Sequence, residues 1–169
     1  MMRRASLLAL ATAATTAAAQ ESGWHFSPYP GEGDRAALGC SYASTPTNHA
    51  CIAVRCADDF TITLHIDTTR PTGDAGRWLL SVDEDKSFPV VAVTEAGSPY
   101  GARIEGEIAP ILDAIRNGNS FFLDSEDGRA TPDRGIGLAG SLNAINQALY
   151  FCAPRANEQA QEKEANDDN

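Results

Sequence analysis

The sequence predicts a mainly β fold, antiparallel and either sandwich-like or α+β, with two C-terminal helices and two disulfides. Three observations carry this. Residues 60–66 alternate strictly, with Phe60, Ile62, Leu64 and Ile66 on one phase and Thr61, Thr63 and His65 on the other. Period two with β-branched residues is the signature of a half-buried strand. Seven or eight such short runs are separated by Gly, Pro, Asn and Asp turns, and helical spacing replaces them only after Pro110. Four cysteines, an even number, remain in a chain that begins like an exported one.

The elements follow in order. Trp24, His25 and Phe26 start a short extended arm, and Pro28, Pro30, Gly31 and Gly33 turn it into a loop. Residues 36–42 form a strand, residues 44–50 a turn-rich connection, and residues 51–56 a short extended run. Asp58 and Asp59 make a turn before the alternating strand 60–66, whose polar phase places His65 in solvent. Residues 77–82 read as a strand with Trp78, Leu80 and Val82 inward. Residues 88–94 read as another, with Pro89 requiring an edge or a strand start because it cannot donate to a ladder. Residues 102–108 give one more strand, with Glu105 and Glu107 sharing a face. Ile111, Leu112 and Ile115 then take helical spacing between Pro110, suited to a helix start, and Gly118, suited to a C-terminal cap. Residues 120–124 and 135–138 are strands on either side of a polar loop. Ser141 caps a final helix whose stripe is Leu142, Ile145, Leu149 and Cys152, and Pro154 ends it.

Residues 1–19 read as a signal peptide. Arg3 and Arg4 give a positive start, residues 5–13 are mostly apolar, and Ala17, Ala18 and Ala19 precede the cleavage point before Gln20. The stretch is too short for a permanent span, and no later run approaches the length of a membrane helix, so no stable membrane span is expected. Residues 20–154 form a single globular β-rich domain, and residues 155–169, rich in Glu, Gln, Asn and Asp, read as a disordered acidic tail. The expected location is periplasmic or secreted. The chain is 43% apolar and 21% charged, an ordinary globular composition. Without Arg3 and Arg4 the formal charge falls from −10 to −12; residues 155–169 hold −3 of it and the folded part −9. Such a surface repels nucleic-acid phosphate and anionic lipid and attracts cationic partners, although solubility alone also accounts for it.

Cys40, Cys51, Cys56 and Cys152 allow three disulfide pairings. An extended run between Cys51 and Cys56 holds their Cα atoms beyond the ~7 Å limit for a bridge. The preferred pairing is Cys40–Cys51 closing a hairpin-like loop and Cys56–Cys152 tying an early strand to the last helix; Cys40–Cys56 with Cys51–Cys152 stays open. The chain-entropy model gives the long bridge on the order of 4–5 kcal/mol and the short one about 3 kcal/mol. A zinc site is disfavoured by the loose Cys51–Cys56 spacing and by an oxidising compartment.

Candidate chemistry is sparse. His25 and His49 fall in loops. Ser141, His65 and Asp67 make a triad only on paper, because no nucleophile elbow surrounds Ser141. The glycine-rich turn through Gly137 and Gly140 lacks the phosphate-loop lysine and reads as structure. Asp83, Glu84 and Asp85, and Asp124, Glu126 and Asp127, are oxygen-rich loops of a kind calcium favours, but EF-hand spacing is missing. Glu105 and Glu107 are a weak version of a glycosidase pair. No catalytic residue, cofactor or metal is expected.

One arrangement has a family resemblance. A signal peptide, an early Trp24, Cys56 just before the alternating strand, and a closing run from Gly137 through Gly140, Ser141, Leu142, Asn143 and Ile145 to Cys152 resemble small periplasmic proteins of alphaproteobacteria. Among named groups the layout is most similar to the invasion-associated locus B family; the Cys40–Cys51 segment lies outside the matched pattern. The resemblance implies an envelope protein without enzymatic activity and supplies no catalytic residue. The functional expectation is an exported, non-enzymatic domain that binds a protein or a cell-envelope component. The alternative is an inhibitor or immunity-type protein against a cationic enzyme such as lysozyme.

Overall fold

A computed structural model describes residues 22–27, 35–83, 85–126 and 135–153. The expected signal peptide (1–19) and acidic tail (155–169) lie outside these residues. The elements in order are β1 (Gly23–Phe26), β2 (Ala36–Cys40), β3 (Ala50–Cys56), β4 (Ile62–Thr68), β5 (Gly76–Val82), β6 (Lys86–Thr94), β7 (Ala102–Ile104), α1 (Ala109–Asn117), β8 (Ser120–Ser125), β9 (Gly135–Gly137) and α2 (Ser141–Leu149). A 3₁₀ turn, Tyr150–Cys152, follows α2.

The nine strands among the described residues join one antiparallel sheet in the order β1-β2-β3-β4-β7-β6-β5-β8-β9. Of the two architectures left open by the sequence, this is the α+β one: a single curled sheet with helices against it, not two stacked sheets. The curl is nearly a barrel, and Trp24 closes the gap between the edge strands. Its Nε1 donates to the Gly137 carbonyl at 3.0 Å, so β1 is held to β9. Two glycines make the closure possible. A Cβ at Gly39 would stand 2.4 Å from the Trp24 ring, and one at Gly137 would stand 2.0 Å from the Tyr42 hydroxyl.

Register assigns the two faces of the sheet. Ile52 opposes Ile66, and Val54 opposes Leu64. Their phase continues through Ala102 and Ile104 of β7, Trp78, Leu80 and Val82 of β5, and Phe121 and Leu123 of β8. All are buried in one cluster with Ile111, Leu112 and Ile115 of α1 and Ala144, Ile145 and Leu149 of α2. Each large apolar side chain so buried contributes about 1.5–3 kcal/mol. Trp78, wholly buried, satisfies its indole by donating to the Asp74 carbonyl at 2.8 Å, with the Arg70 guanidinium 4.7 Å from its ring.

The opposite phase of β2 and β3 is buried too. Ala36, Leu38, Cys40, Cys51 and Ala53 form a second, smaller cluster under Tyr100. This overturns the solvent placement expected for His65: it stands opposite Ala53 and is fully buried. Strand alternation predicts which face a residue takes, but here both faces are covered.

Several boundaries also move. Phe60 is in the turn before β4, not on its inward phase, and is 57% exposed. The strand expected over residues 102–108 stops at Ile104, so Glu105 and Glu107 are exposed in the connection to α1. His25 lies in β1 and not in a loop. Pro89 meets its expectation: β7 pairs with β6 only from Ala92 to Thr94, leaving Pro89 paired to β5 alone. The N-cap of α2 is Gly140; Ser141 is the first helical residue, buried, and its Oγ donates to the Ile115 carbonyl of α1 at 3.3 Å. Leu142, expected on the buried stripe, is exposed. The helix ends at Leu149, so Cys152 belongs to the 3₁₀ turn; Pro154 lies outside the described residues.

The structure pairs Cys40 with Cys51 and Cys56 with Cys152, with Cα separations of 4.1 Å and 5.6 Å. The first joins directly opposed residues of β2 and β3 inside the second cluster. The second pins the 3₁₀ turn to the end of β3.

Candidate functional site

Two polar clusters and one apolar surface qualify for a role. The first polar cluster covers the outer face of β4. His65 Nε2 lies 3.0 Å from Thr63 Oγ1, and Nδ1 faces Glu95 at 3.7 Å, beyond hydrogen-bond reach. Arg103 approaches the other Glu95 oxygen at 3.7 Å. Burial, then the charges of Arg55 and Arg103, push the His65 imidazole down to about 4 from its ordinary 6.5. His65 is therefore neutral at pH 7, sealed from solvent, and held by strand neighbours. Nearby, His49 Nε2 meets Asp67 Oδ1 at 3.3 Å.

These contacts dismantle the paper triad. Asp67 engages His49, Ser141 engages Ile115, and His65 points to the opposite face of the sheet from α2.

The second polar cluster is a shallow groove of about 330 Å³ lined by Arg77, Pro89, Val91, Glu105 and Glu126. It gathers Glu105 with Glu126 instead of Glu107, and Arg77 Nε occupies the Glu126 carboxylate at 2.6 Å. Glu107, the other half of the glycosidase pair read from the sequence, does not line the groove. In the other acidic loop Asp83 is engaged. Asp83 accepts from the Asn119 and Ser120 amides at 2.9 and 2.8 Å and from the Ser120 hydroxyl at 3.0 Å, which holds its carboxyl below the usual range. Glu84 and Asp127 lie outside the described residues, and no group of three or more His, Cys, Asp or Glu among the described residues is arranged to hold a metal.

The apolar surface is different in kind. It surrounds the Cys56–Cys152 bridge. Tyr150 is 76% exposed, Phe151 and Ile62 are exposed, and Phe60 stands at the turn beside them. The Tyr150 and Phe151 rings meet edge to face at 5.7 Å. Between them and Phe26, Asn143, Asn146 and Gln147 runs an open groove of about 370 Å³. The Arg35 guanidinium lies 5.6 Å from the Phe60 ring centre and 6.0 Å from that of Phe151, and pairs with Asp58 at 2.8 Å. Scattered exposed apolar residues are ordinary, but a grouped set marks a contact surface.

Sequence reasoning missed this rim because it counted Phe60 and Ile62 as inward strand residues and carried α2 through Cys152. One signal was legible: Phe60 follows two aspartates in a tight turn, where a left-handed residue is common. Its φ is 63°, in the region that favours glycine.

No family model and no curated protein matches the chain. Among solved structures, the fold is similar to the crystal structure of invasion associated protein B from Bartonella henselae, at 16% identity and a TM-score of 0.41, over 70% of this chain and 94% of that one. This is a weak structural relationship and assigns no residue a role.

Proposed function

We propose that this chain is an exported, non-enzymatic binding domain that engages a partner protein through the aromatic rim around Cys56–Cys152. The observation that carries the reading is the grouping of Phe60, Ile62, Tyr150 and Phe151, all exposed, on one bridged corner of the fold. The bridge supports the reading mechanically, because it fixes the turn bearing Tyr150 and Phe151 to the end of β3, beside Phe60 and Ile62, and a preorganised surface loses less entropy on binding. Two bridged cysteine pairs support an oxidising compartment, and no helix among the described residues is long and apolar enough to cross a membrane. The acidic charge favours a cationic partner. An enzyme inhibited by this chain, such as a basic lysozyme, is a special case of that partner and is removed if inhibition and salt-sensitive association are both absent.

The test is site-specific photo-crosslinking in the native cell envelope. A crosslinker at position 150 or 60 is expected to give one shared adduct mass, absent when it is placed at Val91, which is also exposed but on another face. The same adducts from all three positions, or none from 150 and 60, would overturn the proposal.

A further inference from the structure

The turn 57–61 joins β3 to β4. Ala57 donates to the Thr61 carbonyl at 2.9 Å, Phe60 donates to the Ala57 carbonyl at 3.0 Å, and Asp59 Oδ1 accepts from the Thr61 amide at 3.1 Å and hydroxyl at 2.6 Å. Everything about this geometry suits a glycine at position 60. A phenylalanine there is strained, gains little burial, and stands in solvent. Its ring does have a neighbour, the Arg35 guanidinium, which also faces Phe151 and is neutralised by Asp58. Two ring faces and a carboxylate are the elements of a guanidinium seat. Arg35 is largely covered, at 22%, whereas Asp58 is 90% exposed, so one side of the seat opens outward. Asp59, also exposed, adds a second carboxylate whose bonds to Thr61 hold its pKa below the ordinary value.

We infer that this seat is where a partner protein's arginine docks, displacing Arg35, while an apolar side chain next to that arginine enters the groove between Tyr150, Phe151 and Phe26. The inference rests on the binding-domain reading and names the partner's chemistry: an exposed segment that carries arginine beside large apolar residues. Displacement exchanges one guanidinium for another: the ion pair with Asp58, which is 90% exposed, contributes little net stability, and the partner's arginine takes over the two ring contacts that Arg35 gives up. The charge of the chain, −10, favours the same partner at long range and disfavours an anionic membrane.

The experiment uses the full chain and fluorescein-labelled peptides of equal length that alternate Leu with Arg, Leu with Glu, or Ser with Arg, plus phosphatidylglycerol vesicles. The leucine–arginine peptide is expected to bind at least about tenfold tighter than either of the others and to weaken as salt rises from about 50 to about 500 mM. Asp58→Asn with Asp59→Asn is expected to weaken it about tenfold, while Glu105→Gln with Glu107→Gln, an equal charge change elsewhere, leaves it unaltered. Arg35→Gln, which vacates the seat, is expected to tighten it by roughly three- to tenfold. Equal weakening by the two acidic pairs, weaker or unchanged binding by Arg35→Gln, or preferential binding to the vesicles would overturn the inference. Tyr150→Ser with Phe151→Ser separates the two levels. If it abolishes peptide binding while Arg35→Gln fails to tighten it, only the arginine seat falls; if it changes nothing, the rim itself is not a docking surface.

Discussion

The outer face of β4 and the rim around Cys56–Cys152 break the inside–outside rule in opposite directions. At His65 an imidazole that ought to be solvated is sealed beneath Tyr100 and among Ala53, Arg55 and Arg103, whereas at Phe60 and Ile62, a few residues earlier on the same segment, apolar side chains that ought to be sealed face water. The difference lies in what covers the sheet. Its centre is covered on both faces: the helices pack on one, and on the other Tyr100 packs with the outward side chains of β2 and β3, the Cys40–Cys51 bridge among them. At its turn end the described residues leave Phe60 and Ile62 exposed. A buried polar group with local partners is a structural element; an exposed apolar group with no roof and a strained backbone is a surface awaiting one.

Cutting the rim's anchor has the largest expected effect on this contrast. Cys56→Ser with Cys152→Ser removes a bridge spanning 96 residues, which the chain-entropy model sets at on the order of 4–5 kcal/mol. Denaturant unfolding is expected to show a midpoint lowered accordingly, with hydrogen exchange rising first in the Tyr150–Cys152 turn. A loss confined to the roofed centre would reverse the assignment of that bridge to the rim.

Acid tests the roofed side. Because burial holds folded His65 at about 4, the unfolded chain takes up its proton first as pH falls below about 6.5. Stability attributable to the neutral imidazole is complete above that pH and declines down to about pH 4, by on the order of 1–3 kcal/mol. Asp74 opposes this, since burial raises its carboxyl, so the comparison must be with a variant. His65→Gln is expected to flatten the stability profile between pH 6.5 and pH 4, as read by urea midpoints; an unchanged slope would mean that His65 is solvated.

Phe60→Gly is expected to raise stability by up to about 1 kcal/mol, the relief of a left-handed phenylalanine less the added chain entropy of glycine. Thermal unfolding checks the sign. Arg77→Ala has the smallest expected effect, under about 0.5 kcal/mol, because its pair with Glu126 is solvent-exposed. A larger loss would make the second groove more than surface chemistry.

Much of the fold was legible. Alternation located Trp78, Leu80 and Val82 inward, helical spacing located Ile111 and Ile115, and Pro89 declared the unpaired side of its strand. The four cysteines were legible as two disulfides from their even number in a chain that begins like an exported one; an extended strand closed one pairing, and of the two left open the preferred one is observed. The burial of His65 was not, since the Tyr100 roof comes from a distant loop that no local period reports. Glu105 and Glu107 were misplaced because a strand pattern does not say where its neighbour ends; β7 stops where Gly106, at φ 92°, turns the chain away. The rim was hidden for the converse reason: Phe60 and Ile62 fit a buried alternation, and the tertiary structure leaves both exposed.

The most direct measurement is the affinity of Phe60→Gly for the leucine–arginine peptide, read beside its melting temperature. The account predicts a protein at least as stable as the parent that binds at least about tenfold more weakly, so that the strain at position 60 serves recognition and not folding. A variant that melts lower, or one that binds the peptide as tightly as before, would contradict it.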